Sequence, residues 1–238
     1  GPFTPENRKL FTTLRGPHIV TVSQSQAYPV PNINHAGTVY NGLAMGHYPF
    51  GAEPGKYLLY VGRISMEKGV HFAIETALQL DIPLIMAAKV EAVDRPYFHE
   101  YIEPWLSDRI RWVDEVDEDE RNKLMSGALC FLHPVTWREP FGLTLIEAMA
   151  CGKPVIFFKG TSLDEVTFAP SAGMGANMRD AEDLARVMLD LIHDDIKRQR
   201  MGQEARKLAE KHYDLKTYLA RMSALYRKAH SGNTSAAA

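Results

Sequence analysis

Six short apolar runs punctuate this chain, at residues 19–23, 57–61, 83–88, 109–113, 129–133 and 154–158, and most are almost continuously apolar. A strand with one wet face alternates apolar and polar residues. A continuously apolar strand has to be covered on both sides. The stretches between several of these runs carry helical periodicity instead. Residues 70–80 place Val70, Ile74, Ala77 and Leu78 on one face, and residues 118–127 form a helix that Asp117 is placed to cap. Strands alternating with helices predict an α/β fold: a parallel sheet with helices on both faces.

After the last run the pattern turns wholly helical. Leu184, Val187, Met188, Leu191 and Ile192 make one stripe, and Leu215, Tyr218, Leu219, Met222 and Leu225 another. Residues 28–55, rich in proline and glycine, read as a linker. The expected organisation is therefore 1–55 as a remnant of a preceding domain plus linker, 56–195 as the principal domain, and 196–238 as terminal helices and tail. Gly1-Pro2 reads as a cleavage scar and residues 235–238 as a frayed or appended tail, so neither bears on the fold.

Bulk properties exclude some function classes. A formal charge of −2 over 238 residues gives no basic field, which disfavours nucleic acid or an anionic membrane as a partner. No apolar stretch approaches the roughly 18 residues of a membrane span, and no signal peptide is evident. Cys130 and Cys151 lie in apolar surroundings without metal-ligand spacing, which suggests two core residues, a reducing compartment and a cytoplasmic location. No metal or cofactor is called for. The acidic run 114–120 suits a helix start, where negative charge meets the dipole, better than a metal site.

Two constellations carry chemistry. The run at 57–61 leads into Gly62-Arg63-Ile64-Ser65-Met66-Glu67-Lys68-Gly69 and then a helix. Ligands in open parallel sheets lie beyond the carboxyl ends of strands, where helix starts offer free N–H groups. Gly62 permits a tight turn, Arg63 offers a forked donor to phosphate, and Lys68 adds a point charge. The plainer reading is that both cations are surface residues, one of them paired with Glu67.

The second constellation is Glu139-Pro140-Phe141-Gly142-Leu143-Thr144 followed by Glu147, with Gly152 ending the helix. The amides of Gly142, Leu143 and Thr144 at the helix start suit phosphate oxygens, and the carboxylates of Glu139 and Glu147 suit vicinal hydroxyls. On the plainer reading Glu147 is a surface acid and Glu139 complements the helix dipole. Three further residues are candidates: His133 at a strand end, which either reaches the cleft or sits as a satisfied half-buried ring; Trp137, lining or packing; and Lys89 at another strand end.

Taken together, Gly62-Arg63, Glu67-Lys68-Gly69, and Glu139-Pro140-Phe141-Gly142-Leu143 with Glu147 resemble the double signature of family-4, or group 1, glycosyltransferases. The likeness extends from Val20-Thr21-Val22-Ser23 through Val39-Tyr40-Asn41-Gly42 to Glu165-Val166. The resemblance implies the C-terminal, nucleotide-sugar-binding half of a GT-B fold, Rossmann-like, with the acceptor domain largely missing. It implies a retaining transfer from a nucleoside-diphosphate sugar, most simply a UDP-sugar, with Arg63, Lys68 and Glu139 closest to the chemistry. By the same likeness Arg63 and Lys68 hold the diphosphate, Glu139 the sugar and Glu147 the ribose. A chain of this extent is then expected to bind donor but transfer sugar weakly or not at all.

The sequence departs from the family pattern in places. Asp114 stands where a glycine is usual, Thr161-Ser162-Leu163-Asp164-Glu165 replaces a Gly-Ser-x-Pro-Glu run, and residues 167–178 match no family pattern. A non-catalytic nucleotide-sugar-binding module and a GT-B epimerase stay open as alternatives; a phosphorylase lacks its cofactor-lysine context.

Overall fold

The computed structural model describes residues 5–13, 17–28, 32–53 and 55–234. The scar and tail read at residues 1–2 and 235–238 lie outside them. Two parallel sheets organise the chain. The first has two strands, β1 (Ile19–Thr21) and β2 (His35–Thr38), accompanied by the short helices α1 (Pro5–Thr13) and α2 (Gln24–Ala27).

The second sheet has six strands: β3 (Leu58–Arg63), β4 (Leu84–Lys89), β5 (Ile110–Trp112), β6 (Cys130–His133), β7 (Val155–Phe158) and β8 (Gly173–Ala176). Their spatial order is β5-β4-β3-β6-β7-β8, all parallel. The chain lays strands outward from β3, then returns to place β6 on the other side of β3. That reversal opens a crevice at the carboxyl ends of β3 and β6, the usual ligand position in such sheets.

Helices connect the strands: α3 (Val70–Leu80), α4 (Arg95–Tyr97) within a helical stretch from Ala92 to Trp105, α5 (Glu118–Gly127), α6 (Leu143–Ala150) and α7 (Ser162–Val166). Three more close the chain, α8 (Ala181–Ile192), α9 (Asp195–His212) and α10 (Leu215–Thr234). None of the described helices is long and apolar enough to cross a membrane.

Strand residues alternate between two cores, as pleating requires. Leu58, Tyr60, Leu84, Met86, Leu132 and Ile156 join the core with Ile74 of α3 and Leu184 and Met188 of α8. Leu59, Ile85, Phe131, Val155 and Phe157 join the opposite core with Met125 of α5, Leu145 and Met149 of α6, and Ala205 of α9. Both faces are thus dry, the reason the runs are continuously apolar. Cys130 and Cys151 are free and buried, one in each core.

The structure corrects several sequence readings. The 28–55 segment is not only a linker, since it contains β2, which pairs with β1 and bonds to it through Thr21 and Thr38 Oγ1 at 2.9 Å. The unplaced segment 167–178 supplies β8, the edge strand beside β7. Leu78 is 46% exposed and leaves the buried face of α3, which Val70, Ala73, Ile74 and Ala77 form. The expected cap is present, with the Asp117 carboxylate accepting from Glu120 N at 2.8 Å. Asp114 adopts φ 57, the left-handed conformation a glycine would take most easily, and its Oδ1 accepts from Glu115 N.

The two sheets are tied together. Leu43 N donates to Tyr213 O and Leu215 N to Leu43 O, so the chain enters α10 beside the segment that follows β2. Leu225 of α10 then lies so close to Gly37 of β2 that a Cβ there would meet its side chain at 3.2 Å.

Candidate functional site

The turn after β3 and the loop before α6 come together for identifiable reasons. Gly69 has φ +68, and a Cβ on it would lie 2.0 Å from Pro134 O, so only glycine permits this approach of the two loops. Thr136 N donates to Glu67 O at 2.8 Å, a second backbone link. Lys68 Nζ and Glu139 Oε2 then pair at 2.7 Å, and Lys68 Nζ also lies 5.2 Å from the Trp137 ring centroid.

These loops enclose a cavity of about 340 Å³ at the crevice beside β3 and β6. Gly62, Arg63, Lys68, His133, Glu139, Phe141, Gly142, Leu143 and Thr144 all line it, with Tyr60, Val61 and Pro140. Val22 and Asn41, from beyond the six-stranded sheet, close its other side. Helix α6 starts at Gly142 in the left-handed conformation, φ 87, and no side chain caps its first turn. Its positive end therefore lies at the cavity beside Arg63 and Lys68, each of them paired with a carboxylate.

Arg63 is braced on several sides. Its guanidinium pairs with Glu67 and lies 3.5 Å from Asp94, while its carbonyl accepts from the buried Tyr60 hydroxyl at 2.7 Å. The Glu139 loop is held as firmly. Ser162 Oγ donates to Glu139 O at 2.6 Å, Ser23 Oγ donates to Pro140 O at 2.6 Å, and Arg138 Nη2 reaches Ser25 O at 3.1 Å. Phe141 turns its ring into a cluster with Tyr40 and Tyr213, so it shapes the loop by packing.

The divergent run 161–165 has structural work in this setting. Thr161 caps α7, and Glu165 accepts from Gln24 N, Ser25 N and Tyr40 Oη, at 2.8, 2.9 and 2.9 Å. Burial and then Glu165 push the Tyr40 phenol up to about 12.

Three sequence candidates, Trp137, Lys89 and Glu147, lie outside the cavity lining. Lys89 ends β4 in register with Arg63, but it is half exposed and paired with Glu91 at 3.0 Å. Glu147 is largely buried along α6, where Tyr48 Oη donates to Oε1 at 3.4 Å and Arg121 Nε lies 3.4 Å from Oε2. Burial raises its carboxyl above the ordinary value, opposed by Arg121.

His133 is neither half-buried nor satisfied: it is 4% exposed, and both ring nitrogens lack a hydrogen-bond partner. Burial, and then the Lys68 charge, lower its pKa to about 3. The sequence reading missed Tyr60, Asp94, Ser162 and Tyr48. Only Ser162 left a signal, the altered run in which it stands. Among the described residues no group of three or more His, Cys, Asp or Glu is placed to hold a metal ion. A second cavity, about 370 Å³, lies between β1, β2 and α10, and none of the motif residues lines it.

A parallel sheet with helices on both faces and a crevice where its strand order reverses is a doubly wound, Rossmann-like α/β domain. The sequence match is more specific. Residues 50–208 match the glycosyl transferases group 1 family, and the chain belongs to that family. Its relatives include a glycogen synthase of Mycobacterium tuberculosis, 27% identical over 85% of this chain and 50% of the relative. An Escherichia coli O-antigen chain mannosyltransferase B is 28% identical over 58% of this chain and 37% of its own length. The chain thus spans about half the length of the glycogen synthase.

Solved GT-B structures share the fold. The Anabaena protein HepE, crystallised with UDP and glucose, superposes with a TM-score of 0.84 at 20% identity, covering 95% of this chain and 68% of that one. Sucrose-phosphate synthase from Thermosynechococcus elongatus gives 0.84 at 19% identity, covering 96% and 63%.

Proposed function

We propose that this chain is the donor-binding part of a retaining, family-4-type hexosyltransferase that takes its sugar from a nucleoside diphosphate, UDP being the first candidate. The observation that carries the reading is the single cavity that gathers Arg63, Lys68, Glu139 and the start of α6. The diphosphate is proposed to lie against Arg63, Lys68 and the Gly142–Thr144 amides, with the sugar hydroxyls on Glu139 and the ribose on Glu147. Lys89, in register with Arg63, is a secondary contact to the nucleotide. The UDP and UDP-glucose complexes of Anabaena HepE support the choice of ligand.

The chemistry follows from charge. Breaking the anomeric C–O bond leaves negative charge on the departing diphosphate and positive charge on the sugar. In this reading the cations and helix amides against the diphosphate stabilise that separation. Lys68 is shared between the phosphate site and Glu139, so the leaving group and the sugar are gripped by one linked pair. Acceptor recognition is proposed to require a further domain, in keeping with the half-length match to the glycogen synthase.

Calorimetry of the chain with UDP, GDP and ADP, followed by a sugar-transfer assay on a version joined to an acceptor domain, tests the reading. Micromolar binding of one diphosphate and transfer by the joined form are expected. Donor binding without transfer would favour a non-catalytic module, release of a free altered sugar an epimerase, and no binding at all would sink the proposal.

A further inference from the structure

We propose that His133 reads a hydroxyl of the transferred sugar and so separates a sugar nucleotide from the bare nucleoside diphosphate. This inference rests on the donor-site reading and goes a step beyond it, to one residue and one class of ligand group.

Four observations carry it. His133 ends β6, beside β3 at the reversal of the sheet, and lines the cavity that Arg63 and Lys68 share. It is 4% exposed, with Nδ1 and Nε2 both buried and both without a hydrogen-bond partner. The ring cannot easily turn away, since it stacks on Phe131 at 5.9 Å and 23°. Its Nε2 lies 3.6 Å from where a Cβ of Gly142 would stand, so the imidazole abuts the start of α6. Buried polar atoms are nearly always paired, and a pair left open at the wall of a cavity points to a group that arrives with the ligand.

The chemistry of the ring selects that group. Burial and the neighbouring Lys68 charge hold the imidazole neutral at ordinary pH, leaving one N–H and one lone pair. Diphosphate oxygens only accept, so they leave the lone pair unmatched. They also have better partners here in Arg63, Lys68 and the α6 amides. Sugar hydroxyls both give and accept, so a hydroxyl can meet the ring nitrogen that faces the cavity whichever tautomer the imidazole holds.

The test is calorimetry of the 238-residue chain and of His133→Phe with UDP against UDP-glucose and GDP against GDP-mannose. Phenylalanine keeps the ring and its stacking but removes both polar atoms. For whichever pair binds, the sugar nucleotide is expected to weaken about 10-fold, as loss of a buried hydrogen bond implies. The matching diphosphate should stay within about 2-fold. His133→Gln, which retains a donor and an acceptor, should recover part of the loss. If His133→Phe does not fold, His133→Leu carries the same comparison. Equal losses for sugar nucleotide and diphosphate would place the ring on phosphate and overturn the proposal, as would no loss for either. Wild-type protein that binds neither pair would instead remove the donor-site reading itself.

Discussion

Lys68 and Glu139 stand 71 positions apart in the chain, yet Lys68 Nζ donates to Glu139 Oε2 at 2.7 Å, with side chains 22% and 10% exposed. The contact joins the turn after β3 to the loop before α6, so the two proposed grips on a donor are mechanically one. Removing either partner leaves the other charge poorly solvated. Lys68→Ala and Glu139→Ala should each destabilise the fold by about 1–3 kcal/mol, and the double variant by less than their sum. Urea unfolding of the four-member cycle measures this; additive effects would show that the pair contributes nothing.

Diphosphate binding should depend on Arg63 more than folding does. Its side chain is 45% exposed, and its pairing with Glu67 and Asp94 is of the weak surface kind. Arg63→Ala is therefore expected to weaken binding of the preferred diphosphate by about 1–3 kcal/mol while moving the unfolding midpoint little. Calorimetry and thermal melting separate the two effects, and unchanged affinity would remove Arg63 from the site.

Gly69 should tolerate no side chain. With φ +68 and Pro134 O 2.0 Å from the position of a new Cβ, Gly69→Ala adds a backbone clash to left-handed strain of about 1–2 kcal/mol. We expect a total loss of roughly 3 kcal/mol or more, read by denaturant unfolding, together with loss of diphosphate binding as the two loops part. A variant of wild-type stability would show that the loops do not depend on this contact.

His133 gives stability a pH dependence of known sign. In the unfolded chain the imidazole protonates below about 6.5, whereas the folded one stays neutral to about pH 3. Between those values the unfolded state binds the extra proton, so stability falls as pH falls and is not lost through this group above about 6.5. Burial shifts His71 and His212 in the same direction, so the comparison is made with His133→Phe. Between pH 7 and 5 the wild type should lose about 2 kcal/mol more than the variant, measured by urea unfolding at each pH. Parallel curves would mean that the folded histidine titrates normally.

Glu165 gathers the first amides of α2. Glu165→Ala should therefore raise the hydrogen-exchange rates of Gln24 and Ser25 at least about 10-fold, the scale of a charged hydrogen bond. The pKa of Tyr40 should also fall from about 12 toward that of an ordinary phenol. Unaltered exchange would show that α2 is held by other contacts.

Much of this was legible in the sequence because the informative residues sit where structure type changes. Gly62 to Lys68 and Glu139 to Gly142 lie at strand-to-helix transitions, and local pattern marks such boundaries well. What local pattern does not carry is assembly. His35–Thr38 has no strand-like alternation and becomes β2 by pairing with β1. Gly173–Ala176, with two glycines, has poor intrinsic strand preference. A Cβ at Gly173 would lie 2.7 Å from Val155 O, so close packing on β7 makes it a strand. Helix α9 hides from periodicity for a related reason, since its buried side is built partly from Gly202, Ala205 and Ala209, which carry little hydrophobic signal. In the site, the strand-end residues were readable, while Tyr60 beneath Arg63 and Asp94 beside it were not. Their roles arise from contacts that periodicity does not encode.

The return of α10 across the β2 strand makes the two extremities of this polypeptide one inheritance unit. A chimera that exchanged residues 19–38 with a relative while keeping its own closing helix would set a foreign strand against Leu225, where a side chain in place of Gly37 would meet that leucine at 3.2 Å and require it to shift. Chimeras of this chain are therefore best designed to move the β2 strand and the closing helix together.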